Sequence, residues 1–167
     1  MLLVFNMKRT STLISLFSGK SALIRYSLLI GCLVFTLAGN AQQTSLAAIS
    51  NVSGAPADMK QSELKSILMG ETQRWKNGKR VIIALMKTNT PLGKTTSSKI
   101  YDMSGDELNK FWLSLVFQGK AQAPVFFTSV AELQNFVSQN PGAIGIIDKP
   151  VAIAEVRAVM IDGKPSF

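Results

Sequence analysis

Between an apolar run ending at Met86 and a helical pattern beginning near Lys94 stands Lys87-Thr88-Asn89-Thr90-Pro91-Leu92-Gly93-Lys94, a segment with two hydroxyls, a carboxamide and two ammonium groups. A polar loop at a helix start presents unpaired backbone N–H groups beside those hydroxyls, a donor set in which an anion could sit. An ordinary strand-to-helix connection has the same composition, so the loop alone leaves both uses open. Other chemistries are poorly supplied. The chain has no His, and its single cysteine, Cys32, falls in an N-terminal segment unlike the rest. Zinc, haem, iron–sulfur and Ser-His-Asp chemistry lack their residues, and no cofactor is expected. Asp106-Glu107 sits at a helix start, where the macrodipole accounts for both carboxylates. With no P-loop or dinucleotide glycine pattern, an enzyme is the weakest class of reading.

The elements that must position the loop follow from periodicity. Leu64, Ile67 and Leu68 fall on one helical face before Gly70, with Asp58 and Gln61 available to cap that helix. A Trp75-bearing turn with Asn77-Gly78 leads into a buried strand, Val81 to Met86, and a helix is expected around Lys94 to Tyr101. Ser104 and Glu107 form a capping box for Leu108, Phe111, Trp112, Leu115 and Val116, ended by Gly119. A second box, Ser129 and Glu132, starts a helix with Leu133, Phe136 and Val137 that Asn140-Pro141-Gly142 breaks. Ala143 to Ile147 and Glu155 to Ile161 read as strands, the latter closed by Asp162-Gly163, and Leu46 to Val52 is a weaker strand. The alternation implies a small α/β sandwich with a largely parallel or mixed sheet.

Residues 1–41 carry Lys8, Arg9, Lys20 and Arg25, no acid, and an apolar run from Ser27 to Ala38 that ends in Ala38-Gly39-Asn40-Ala41. This is the pattern of a secretory signal peptide, cleaved near Ala41; an uncleaved anchor and lipidation at Cys32, in Leu29-Ile30-Gly31-Cys32, are the alternatives. The remaining domain, 42–167, is then expected in the periplasm. Its charge is mild: of 18 basic residues 14 remain against 10 acidic, a net of +4 rather than +8. The one basic cluster, Arg74 to Arg80, has no nucleic-acid motif beside it, so no nucleic-acid partner is expected.

Glu63 to Gly70 followed by Arg74-Trp75 and Asn77-Gly78 is similar to the helix and Trp-x-x-Gly segment of the phosphate-binding proteins that serve ABC transporters. Asn140-Pro141-Gly142-Ala143-Ile144-Gly145 resembles their Pro-Gly-Ala-Ile-Gly-Tyr stretch, with Ile146 in place of Tyr. Ser104 to Trp112 and Leu115 to Lys120 resemble short exported members of that superfamily, and the likeness runs from about Leu46 to Asp148. It implies the fold of a type II periplasmic binding protein, here one lobe or a trimmed form, since two lobes need two domains of about 100 to 150 residues each. It also implies an anion held by amides and hydroxyls. Asn51 and Ser53 correspond to the first ligand loop, and Thr90-Pro91-Leu92 to the Ser-Gly-Thr turn, Pro91 removing an N–H where the family has Gly. Thr88 and Asn89 add donors, and Lys87 or Lys94 stands in for an Arg.

Two functions follow as expectations. One is an exported solute-binding protein that takes phosphate or a similar small oxyanion weakly, in uptake or sensing, alongside an ABC transporter permease or envelope sensor. The other is a non-catalytic docking module of the cell envelope that keeps the fold without the anion site. A homodimer is compatible with either.

Overall fold

A computed structural model of the chain describes residues 45–149 and 151–167. The expected signal peptide, its cleavage site and Cys32 lie outside the described residues. Six strands form one sheet in the order β2-β6-β1-β5-β3-β4. They are β1 (Ala47–Asn51), β2 (Asp58–Met59), β3 (Ile82–Met86), β4 (Val125–Phe127), β5 (Ala143–Ile147) and β6 (Val156–Ile161). Among the described residues four helices accompany them: α1 (Gln61–Leu68), α2 (Pro91–Tyr101), α3 (Gly105–Phe117) and α4 (Val130–Gln139). The sheet is mixed. β3 runs parallel to β4 and β5, whereas β1 runs antiparallel to β5 and β6.

The central strands read as unbroken apolar runs because both of their faces are covered. Ala143–Ile147 is buried throughout, and β3 is buried from Ile83 to Met86. From β3 the chain crosses to β4 on one side, then returns past β3 to β5. Parallel crossovers take the right-handed form, so these two, of opposite direction, put α2 and α3 on one face and α4 on the other. On α4's side, a side chain grown from Gly145 would meet Leu133 and Ile49. On the other side the Tyr101 hydroxyl donates to the Leu68 carbonyl at 2.8 Å, tying α2 to α1. Burial raises that phenol's pKa above its ordinary value.

Helix starts follow the capping residues. Ser104 and Ser129 each accept from the N–H three residues on, while Glu107 and Glu132 accept back from the cap N–H groups. The cap of α1 is Lys60, whose N–H donates to Glu63; Asp58 instead pairs with β6 as part of β2, and Gln61 is the first helical residue. α2 begins at Pro91, three residues before the expected Lys94, because Pro is well placed at the first helical position and Thr90 caps it. The two-residue β2 and three-residue β4 carry too little pattern to be read from sequence.

Candidate anion site at the end of β3

The loop that follows β3 is held from three sides. The Lys87 N–H donates to the Phe127 carbonyl at 2.8 Å, which fixes it against the end of β4. Thr90 closes it from within: its N–H and its hydroxyl both donate to the Lys87 carbonyl, and its Oγ1 accepts from the Gly93 N–H at 3.1 Å. A Cβ at Gly93 would stand 2.0 Å from the Lys87 carbonyl oxygen, so only glycine lets the helix press this closely on the loop. From the third side, the Asn109 carboxamide donates to Thr88 Oγ1 at 3.2 Å, and the start of α3 at Gly105 packs on the Thr88 side chain.

This arrangement sorts the residues by what they can still donate. The Thr90 proton is committed to Lys87, so Thr90 shapes the loop. Thr88 accepts from Asn109 and keeps its own proton for an outside acceptor. The N–H of Leu92, in the first turn of α2, meets no acceptor among the described residues. Asn89, Lys87 and Lys94 are exposed around it. The electrostatics differ from those of the other helices. α1, α3 and α4 have Glu63, Asp106 with Glu107, and Glu132 in their first turns, whereas α2 has no acid there. The positive end of α2 is therefore without a carboxylate of its own. Backbone N–H donation, from Lys60 to Glu63 and from Ser104 to Glu107, holds those two carboxyls below their usual value. The Thr128 hydroxyl and Ser129 N–H do the same for Glu132.

The position within the sheet is also that of a binding crevice. The chain leaves β3 toward one face and leaves β4, the adjacent parallel strand, toward the other, so their carboxyl ends open between diverging loops. Thr128 and Ser129 stand on the second of those loops. Sequence reading found the Ser129 cap but not its neighbourhood with Lys87, which depends on the short β4. Asn109 was missed because nothing in a helical pattern shows that one exposed carboxamide reaches a loop 21 residues back.

Asn51 and Ser53 are not part of this site. β1 is antiparallel to β5 and β5 parallel to β3, so the end of β1 lies beside the start of β3. Five residues of strand, about 16 Å, separate that level from Lys87. Asn51 is buried and spends both carboxamide hydrogens on the Val137 and Ser138 carbonyls at 3.1 and 2.7 Å, while its Oδ1 accepts from the Ser53 N–H. It latches the end of α4 to β1. The loop that carries Asn51 and Ser53 therefore lies at the opposite end of the sheet from Lys87. A separate cleft of about 580 Å³ beside β2 has an apolar floor of Met59, Ile67 and Trp75, and Lys76 meets Glu63 across it at 3.7 Å.

Among solved structures the chain is similar to phosphate transport receptors. It superposes on an ABC-type phosphate transport receptor from Vibrio cholerae with a TM-score of 0.55 at 13% identity, covering 74% of this chain and 48% of that one. It superposes likewise on a protein from Clostridium perfringens described as a phosphate ABC transporter substrate-binding protein with bound phosphate, with a TM-score of 0.53 at 17% identity, covering 72% and 46%. No protein-family model matches the chain, and no curated protein matches its sequence. The fold is thus one shared with part of these receptors, as the sequence resemblance implied. The chain spans about half the length of the receptors it matches.

Proposed function

We propose that this protein is an exported solute-binding protein that takes phosphate or a similar small oxyanion at the loop Lys87 to Lys94. The observation that carries the reading is the start of α2, where no acid opposes the helix dipole, the Leu92 N–H is unclaimed, and Lys87 and Lys94 flank the opening. The phosphate-receptor fold supports it. In this reading Leu92 N–H, Thr88 and Asn89 donate, Lys87 and Lys94 supply charge, and Thr90 holds the turn. The protein acts in phosphate uptake or sensing with an ABC transporter permease or envelope sensor, after removal of residues 1–41, and performs no chemical step.

Because the loop faces solvent, water screens every contact, and the Kd is expected on the order of millimolar. Isothermal titration of the domain from Gln42 onward, with phosphate and then sulfate at low salt, tests this. Saturable heat that falls about ten-fold in affinity in Lys87→Ala with Lys94→Ala is the expected result. Absence of heat and of thermal shift at tens of millimolar phosphate would leave the docking role, which the exposed apolar residues on α3 favour.

A further inference from the structure

The cleft of about 580 Å³ beside β2 lies apart from the candidate anion site, between α1 and the turn that carries Trp75. Its volume falls within the range of small-molecule sites, about 300–1,000 Å³. Met59, Ile67 and Trp75 form the floor, and the exposed Pro56 carries the apolar lining out to the surface. The Trp75 indole N–H is spent on the Gly142 carbonyl at 2.8 Å, so the ring brings no free donor to that floor. An occupant gains by burying an apolar body there.

The rim decides its head group. Four ionisable residues line the cleft: Asp58, Glu63, Arg74 and Lys76. Glu63 accepts from the Lys60 N–H at 3.0 Å and meets Lys76, so its carboxylate is already engaged. Asp58 pairs with Met160 and the next residue, Met59, with Ile161, so strand alternation turns the Asp58 carboxylate to the sheet face opposite the Met59 side chain. The cations are freer. Arg74 is exposed, and among the described residues its guanidinium makes one hydrogen bond, from Nη1 to the Gly78 carbonyl at 3.0 Å. Four of its N–H groups remain for an acceptor. The Lys76 ammonium stands 3.7 Å from Glu63 with the two side chains 97% and 47% exposed, a pairing that an incoming carboxylate can replace while Glu63 keeps the Lys60 N–H. Lys79 and Asn77 are committed to the Ser53 and Gly54 carbonyls, at 2.7 and 3.0 Å, and hold the turn in place. The basic cluster thus divides into residues that fix the turn and two cations left at the mouth of the cleft.

We infer that this cleft is a second ligand site, one that takes a small carboxylate with an apolar body. The carboxylate meets the Arg74 fork, which suits it bidentately, with Lys76 beside it, and the hydrocarbon lies on Met59, Ile67 and Trp75. The stems of the two cations extend the apolar wall. An organic cation would face Arg74 and Lys76, and an inorganic oxyanion would leave the floor in water. The inference does not rest on anion binding at Lys87 to Lys94.

Indole N–H NMR of the full chain tests this, because the chain has two tryptophans and the second, Trp112, is buried in the core as an internal control. Octanoate, 1-octanol and octylammonium share one hydrocarbon body and differ in head group. Octanoate is expected to move the Trp75 signal saturably with Trp112 and the loop Lys87 to Lys94 unmoved; octanol should bind several-fold more weakly and octylammonium most weakly of the three. Arg74→Gln is expected to bring octanoate down to the level of octanol and to leave octanol unchanged. Glu63→Gln, which keeps a capping side chain but frees Lys76, should tighten octanoate. Arg74 and Glu63 are both exposed, so the variants keep the fold. Octanoate that leaves Trp75 unmoved or moves the Lys87 to Lys94 loop instead, octanol or octylammonium binding as tightly as octanoate, or an Arg74→Gln chain with unchanged octanoate affinity would each overturn the proposal.

Discussion

The two ends of β3 are built on opposite plans. Where the strand begins, polar groups are consumed. Asn51 is spent on the end of α4, the Trp75 indole N–H donates to the Gly142 carbonyl at 2.8 Å, and the Asn77 carboxamide donates to the Gly54 carbonyl at 3.0 Å. Backbone packs on backbone there: a Cβ at Gly54 would lie 1.9 Å from the Gly142 nitrogen. Where the strand ends, donors remain unspent around a helix start that has no acid. The contrast separates residues that hold the domain together from residues able to meet a ligand, although Asn stands in both sets. Composition could not have separated them.

The contrast breaks most visibly at the closed end. Gly142 has φ +99°, and a Cβ there would stand 2.3 Å from the Arg80 carbonyl oxygen. Gly142→Ala is therefore expected to cost about 3 kcal/mol or more in urea unfolding, through strain and overpacking together. Asn51→Ala should cost about 2 kcal/mol in the same measurement, because two carbonyls lose their donor. In neither variant should the residual folded protein lose affinity for phosphate.

At the open end the order reverses. Gly93→Ala drives a Cβ into the Lys87 carbonyl, so the loop must move; phosphate binding is expected to disappear at a stability cost of about 1–2 kcal/mol. Thr90→Ala, which removes a helix cap, should cost about 1 kcal/mol and weaken phosphate binding. Thr90→Ser, which keeps the cap, should do neither. The smallest effect is that of pH. Glu63, Glu107 and Glu132 are held below the ordinary carboxylate value of 4.5 in the folded state. Their contribution is fully present above that value and is lost as pH falls through the lowered ones. Thermal melts should show the midpoint level from pH 8 to 5 with respect to these groups and falling below about 4.5.

Much of this was legible in the sequence because its signals are local. Two Ser-x-x-Glu boxes, the apolar runs Val81 to Met86 and Ala143 to Ile147, and the Asn140-Pro141-Gly142 break each act within a few residues, and each appears in the fold. Strand direction is not local. That β1 runs against β3 depends on pairing across β5, and it is this that moves Asn51 and Ser53 away from Lys87. The Phe167 tail, uninformative as sequence, exchanges backbone hydrogen bonds with Leu46 for the same non-local reason. The loop itself was recognised from its donors; which donors remain free was visible only once Thr90 and Asn109 had partners.

Phosphate titration followed by backbone amide NMR tests the central claim most directly. Saturable shifts confined to Thr88 to Lys94 and the neighbouring Thr128 and Ser129, with Asn51 to Gly54 unmoved, are the predicted result. Shifts centred on Asn51 to Gly54 or on the cleft around Trp75, or none at any residue, would contradict it.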